Sequence, residues 1–305
     1  MTQYLLRRIT YSLLALIVIA SLMFVLLRLT GDPATATLGA EASPAAVESF
    51  RSEWGLDRPI WEQYAVFVSH VVRGDFGVSF RSLQPALQLV LERLPNTVQL
   101  ALAAMCVTLI IAVPLGIIAA LKKDRPVDAA AMSFAVVGQS VPGFFLGIVL
   151  ILVFAVQLRW LPVAGGQGFA SLVLPAVALG VSGAGLVSRL LRSSLAEAMR
   201  GEYVRTARAK GLRERVVLTR HALKNALLPV VTVLGLQMGH LFGGAVIAEV
   251  VFSYPGIGLL LNQAIFNADF AVVQAAVTMI GAIVIVMNLL TDLLYAFLNP
   301  RIRYA

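Results

Sequence analysis

Six stretches of this 305-residue chain are apolar over about 20 residues or more: roughly 9–29, 98–121, 131–157, 172–191, 229–252 and 271–297. A helical run of about 20 apolar residues matches the hydrocarbon thickness of a bilayer. Inside lipid every backbone N–H and C=O must be satisfied within the protein, so such runs are read as helices. Composition agrees: 59% of the residues are hydrophobic and 13% charged, against about 25% charged in a soluble domain. The sequence predicts an all-α integral membrane protein. The first run follows Arg7 and Arg8 and is longer than the roughly 7–15 residues of a signal-peptide core, so it reads as an uncleaved anchor.

Charge orients the bundle. With the N-terminus inside, 17 of the 24 Lys and Arg residues fall on the cytoplasmic face, ten of them between Arg189 and Lys224. Lys and Arg concentrate on that face in membrane proteins, which predicts six transmembrane helices with both termini in (N-in/C-in). The same rule accounts for the net charge of +8, and no aromatic-basic motif points to nucleic acid. Small residues recur every four positions, Ala176, Gly180, Ala184 and Ser188 in one span and Gly235, Gly239 and Gly243 in the next. Such ridges let helix backbones approach closely, either within the chain or against a second subunit.

Three parts follow: 1–29 with the first span, an extracytoplasmic helical insertion at 30–96, and a five-helix core at 97–305. In the insertion, Ser43-Pro44 reads as a helix start and Gly55 as its stop. Asp57 and Pro59 open a second helix that Gly74 ends, and Leu83 to Leu94 forms a third apolar stripe. Pro95-Asn96 then reads as the cap of the second span. Such stripes lie on the bilayer or cap the bundle, or they dock a partner. Acidic residues, Glu48, Glu53 and Glu62 among them, surround Trp54, Trp61 and Tyr64, a mixed rim suited to transient docking.

Residues 192–228 form the longest cytoplasmic segment. Met199, Tyr203, Ala207 and Lys210 or Gly211 share one helical face, and Gly211 interrupts as a C-cap or a close-contact point. A basic surface hairpin against anionic lipid is the plain alternative.

No catalytic or metal constellation emerges. His70, His221 and His240 lack His or Cys neighbours at ligand spacing, and the single Cys106 reads as a small buried hydrophobe. The phosphate-binding Gly-x-x-x-x-Gly-Lys-Ser/Thr is absent, so the chain cannot hydrolyse ATP by that route. The polar residues within spans are Gln139, Ser140, Gln237, His240, Glu249, Asn288 and Asp292. They are costly in lipid and read either as pathway lining or as inter-helix hydrogen bonds. Phe252 to Gly258, broken by Pro255 and two glycines, is expected to turn back toward an outer mouth with Glu249 and Asn262 nearby.

Three segments carry a family resemblance: GEYVRTARAKGLRERVVLTRHALKNALLP from Gly201 to Pro229, EVVFSYPGIG from Glu249 to Gly258 with AIFNADFAVVQ after it, and GLDRPIWEQY, RGDFGVSF and ERLPNTVQLALAA outside. The chain resembles the permease subunit of a dipeptide/oligopeptide-type ATP-binding-cassette importer. The resemblance covers the whole chain and implies the type I importer permease fold. Ala207 and Gly211 match the family's short cytoplasmic motif, whereas Arg205 and Thr206 stand where Glu and Ala are expected.

The resemblance implies ATPase coupling through Tyr203, Arg205, Thr206, Ala207, Arg208, Ala209, Lys210 and Gly211. It implies a translocation pathway or gate at Gln139, Gln237, Glu249, Tyr254, Pro255, Gly256, Ile257 and Asn262, and binding-protein docking at Glu48, Glu53, Trp54, Trp61, Glu62 and Tyr64. Its implied partners are a second related permease, two ATPase subunits or a fused ATPase, an extracytoplasmic peptide-binding protein and membrane lipid, in a bacterial cytoplasmic (inner) membrane. No cofactor or metal is expected on this chain, ATP and Mg belonging to the ATPases, and it is expected not to be an enzyme. Other cargoes within the family are nickel chelates, glutathione or haem. A secondary transporter would show inverted repeats and broken helices with charged midplane residues; the sequence shows no convincing repeat, and its midplane is poor in charge. A reporter fused after Tyr304 should lie in the cytoplasm and one inserted near Ala42 outside; a C-terminal reporter found outside would contradict the charge rule.

Overall fold

The computed structural model describes residues 2–29, 33–38, 42–53, 55–163 and 168–298. Among them every named element is helical. In chain order these are α1 (Thr2–Leu29), α2 (Pro33–Leu38), α3 (Pro44–Glu53), α4 (Ile60–Val72), α5 (Ala86–Leu121), α6 (Pro126–Ser140) and α7 (Gly143–Leu150). Then come α8 (Phe169–Ala198), α9 (Glu202–Ala209), α10 (Glu214–Val216), α11 (Leu223–Val251), α12 (Ile257–Phe266) and α13 (Phe270–Leu298). π-helical stretches extend α7 over Ile151–Gln157 and join α10 to α11 over Val217–Ala222. Among the described residues four helices are long and apolar enough to cross a membrane, and α6 with α7 makes a fifth if that bent pair is one span.

The chain divides into two units. The first holds residues 1–97 and 255–285. Its core gathers Ala86 and Val90 of α5, Ile257 and Ala264 of α12, and Val272, Ala275 and Ala276 of α13. The helix signals at 43–74 act where the sequence places them: the Ala46 N–H bonds Ser43 Oγ at 3.3 Å, and Gly55 and Gly74 stop α3 and α4 with φ of +63° and +74°. α4 packs on α1. The third stripe departs from the expectation. Leu83 precedes its helix with φ +55°, and α5 runs unbroken through Pro95. Asn96 is therefore no N-cap; its Nδ2 donates to the Pro255 carbonyl at 2.8 Å. A proline costs a transmembrane helix little when neighbours re-satisfy the freed backbone.

The second unit holds residues 98–254 and 286–305. Its centre is α8, packed by α6, α7 and α11. The first small-residue ridge serves packing within the chain: Ala176, Gly180, Ala184 and Ser188 are all buried. A Cβ at Gly180 would stand 2.6 Å from the Ala104 carbonyl oxygen, and one at Gly185 would strike the Ala135 carbonyl oxygen. The second ridge divides, since Gly235 meets Thr291 while Gly243 faces open space.

The span expected at 131–157 is not one straight rod. α6 and the α7 rod meet at 98° across residues 141–142. Pro142 forces its predecessor out of the helical region, and Val141 sits at φ −77°, ψ +123°. In the isolated chain, Gly185→Leu is expected to cost about 1–3 kcal/mol by overpacking, whereas Gly243→Leu should leave the detergent melting temperature unchanged. Equal melting temperatures would contradict this packing.

Candidate functional site

The segment between α8 and α11 is built from its buried side outward. Among the residues of α9, Val204 is fully buried and Ala207 is 4% exposed. They join a cluster with Leu195 and Ala198 of α8, Val217 and Ala222 of the π-helical stretch, and Ala226 of α11. Tyr203, one turn before Ala207 on the helix, is 42% exposed. The reason lies in the helix phase: Val204 and Ala207 are one turn apart and claim the core, which turns Tyr203 aside. Arg205, Thr206, Arg208, Ala209, Lys210 and Gly211 are also exposed.

The end of α9 is a Schellman motif. The Gly211 N–H bonds the Arg208 carbonyl at 2.9 Å and the Leu212 N–H reaches the Ala207 carbonyl at 3.4 Å. Gly211 has φ +74°, and no atom lies within 4 Å of where its Cβ would be. Its role within this chain is the left-handed turn and not close contact. Arg208 spans the turn to Glu214, with Nε and NH2 donating at 3.1 and 2.5 Å. That hydrogen bond and charge hold the Glu214 carboxyl below the usual carboxylate range. The depressed pKa makes the pair's contribution present at neutral pH and lost on acidification through that lowered value. Both partners are exposed, so the effect is small.

α8 carries two further polar contacts. Arg192 donates from Nε to Asp128 Oδ1 at 2.6 Å and from NH2 to Oδ2, and the buried Asp128 also accepts the Asp124 N–H. Sequence reading missed this clamp, because nothing in a separation of 64 residues announces it. Arg189 donates to Gln139 Oε1 at 2.6 Å, and Gln237 Nε2 donates to the Gly183 carbonyl at 3.4 Å. The two glutamines thus bond α8 at separate points.

The stretch from Glu249 to Asn262 is divided between the units. Glu249, fully buried, accepts the Tyr254 N–H on its carbonyl at 2.8 Å, and Tyr254 is buried too. Pro255, Gly256, Ile257 and Asn262 belong to the first unit. There the quoted outer segments meet one another. The Ile257 N–H bonds Thr97 Oγ1 at 2.9 Å, and Ser79 Oγ donates to Asp269 Oδ2 at 2.5 Å. Arg81 donates to Asn267, and the other Asp269 oxygen caps α13 through the Val272 N–H. Ile257 is fully buried and Asn262 half-buried, so Ile257 is no surface probe of a gate.

In the insertion, Glu48, Trp61 and Glu62 are exposed. Tyr64 is not free for a rim, being hydrogen-bonded to Ser21 at 2.6 Å. Trp54 and the Glu53 side chain lie outside the described residues. Among the described residues, no group of three or more His, Cys, Asp or Glu could hold a metal.

The helical arrangement is shared with solved ABC transporter chains. An inward-facing MetNI methionine ABC transporter structure matches with a TM-score of 0.56 at 17% identity, covering 70% of this chain and 97% of that one. An amino acid ABC transporter with histidines matches at 0.53 and 14%, covering 68% and 93%. The particular family follows from the sequence. The family model of the binding-protein-dependent transport system inner membrane component matches residues 112–304, and that of its N-terminal part matches 1–101. The glutathione transport system permease protein GsiC of Escherichia coli (strain K12) is 39% identical over 305 residues, the full length of both chains. The GsiC proteins of Pectobacterium atrosepticum and Salmonella choleraesuis are 38% identical over the same span. The chain belongs to the binding-protein-dependent transport system inner membrane components; it is a permease subunit of an ABC importer, a multi-pass inner-membrane protein.

Gly211→Ala places a Cβ in the left-handed region at about 1–2 kcal/mol, so the Leu212 amide should exchange faster than in wild type. Gly211→Asn, which tolerates that region, should exchange close to wild type. Identical exchange in all three proteins would remove the conformational role of Gly211.

Proposed function

We propose that this permease imports short peptides of the glutathione class. The observation that carries the reading is the 39% identity to glutathione permeases along the entire chain. The chain forms the pathway with a second related permease, receives cargo from an extracytoplasmic binding protein, and is driven by ATPase subunits that hold the ATP and Mg. Six spans with both ends inside remain our reading, α1 being the first and α6 with α7 one broken span. The division at 1–29, 30–96 and 97–305 goes with it.

Coupling runs through α9 and its capping turn. The exposed Tyr203, Arg205, Thr206, Arg208, Ala209 and Lys210 offer the docking face, and Ala207 roots it. The burial of Val204 and Ala207 supports this reading, because a rooted helix transmits displacement and a floppy loop does not. Gln139, Gln237, Glu249, Tyr254 and the 255–262 turn remain candidates for pathway and gate. Glu48, Glu53 and Glu62 are candidates for docking the binding protein.

The cargo is tested in proteoliposomes holding the complete transporter and its binding protein. ATP-dependent uptake of labelled glutathione, competed by short peptides, is expected. Uptake of a nickel chelate or haem in its place would overturn the cargo. Uptake that follows a proton gradient without ATP would overturn the mechanism. For coupling, Arg205→Glu should leave the chain folded and inserted while weakening co-purification with the ATPases. Ala207→Trp should disrupt both α9 packing and ATPase association. Wild-type ATP hydrolysis and uptake in both variants would refute the assignment. Reversing Glu48, Glu53 and Glu62 to Lys should weaken binding-protein stimulation and spare basal hydrolysis; an unchanged midpoint and maximum would remove the docking role.

A further inference from the structure

α4 presents three different faces. Tyr64 and Phe67 face α1: the Tyr64 ring meets Phe24 edge-on at 5.4 Å between centroids, and Phe67 meets Phe24 at 5.3 Å. Ser21 Oγ donates to the Ile17 carbonyl at 2.7 Å, so its single proton is used. The 2.6 Å contact is therefore donated by the Tyr64 hydroxyl. A chain from Tyr64 O–H through Ser21 O–H to a backbone carbonyl leaves no polar group bare.

The depth of that contact follows from α1. Ser21 lies seven residues inward of Arg28, about 10 Å at 1.5 Å per residue. An interfacial helix sinks its apolar face about 5–10 Å past the headgroup boundary, and the tyrosine side chain spans the remaining distance. The second face holds Trp61, Val68 and Val72, at spacing 7 and 11 beside the α1-facing stripe. Trp61 is 70% and Val72 79% exposed. The third face, opposite α1, holds Glu62, Ser69 and Arg73, all exposed.

We propose that α4 lies in the outer leaflet as an interfacial helix, with lipid acyl chains covering Trp61 and Val72 and water bathing Glu62, Ser69 and Arg73. The occupant is lipid because the adjoining stripe is already docked on α1 at hydrocarbon depth. Trp61 is then an aromatic anchor at the headgroup level, not part of a docking rim. A helix pinned this way fixes the height of the insertion above the bilayer. The inference rests on α1 being the first span with its C-terminal end outside.

Cys106, read from the sequence as buried, is exposed within the chain, so the test uses the assembled transporter in nanodiscs on a Cys106→Ala background. Spin labels are attached at Trp61→Cys, Val72→Cys and Glu62→Cys. Collision rates with oxygen, which partitions into lipid, and with a nickel chelate, which stays in water, are measured by power saturation. The oxygen-to-nickel ratio, taken relative to an aqueous reference, should be raised at both 61 and 72 and not at 62. An aqueous ratio at either 61 or 72 overturns the proposal. Low accessibility to both reagents there means that protein covers the face, and overturns it too. The reporter near Ala42 separates the causes: if it lies outside and the ratios are aqueous, the lipid contact alone fails; if it lies inside, the topology fails.

Discussion

Two small side chains, Val204 and Ala207, hold the basic segment between α8 and α11 together. Both are sealed against Leu195, Val217, Ala222 and Ala226. Burying a group the size of a valine side chain is worth about 1.5–3 kcal/mol, enough to hold an eight-residue helix that would be marginal alone. Because the anchor is on one side only, all the charge of α9 points the other way. The basic face is thus a consequence of the apolar root, and the Schellman turn at Gly211 returns the chain to the same cluster through Leu212 and α10.

The bilayer imposes the second constraint. Helices in lipid gain little from apolar contact alone, so they approach through small residues and bond through few polar ones. α8 shows both: Gly180 and Gly185 admit neighbouring backbones, while Thr108 donates to the Gly180 carbonyl at 2.9 Å and Arg192 clamps Asp128. The same economy appears in the first unit, where Asn96, Thr97, Ser79 and Asp269 satisfy turn and helix-end groups.

Local signals were legible in the sequence, long-range ones were not. Ser43-Pro44, Gly55, Gly74 and Gly211 encode helix ends in their own chemistry, and each acts where the residue pattern places it. The ridge from Ala176 to Ser188 announced a packed helix. Pro95 misled because a proline's missing hydrogen bond can be absorbed in a long apolar helix. Pro142 broke its helix because Val141 took the extended conformation. Tyr203 and Ala207 stand four apart on one helix, as the sequence has it, but only the tertiary cluster decides that Ala207 is buried and Tyr203 is not. The Asp128–Arg192 pair and the meeting of the RGDFGVSF and AIFNADF segments join residues far apart in sequence, which no periodicity reports.

On the proposed coupling role, α9 keeps its place against the cluster it shares with α8 and α11 while the transporter cycles. Spin labels at Glu202→Cys on α9 and Asn225→Cys on α11, both exposed positions of one unit, on the Cys106→Ala background, give the α9–α11 distance by pulsed electron resonance. In the assembled transporter the distance distribution should be the same, and equally narrow, in nucleotide-free and ATP-trapped states. A distribution that broadens or shifts between the two states would contradict a rigid lever and leave the segment a flexible tether.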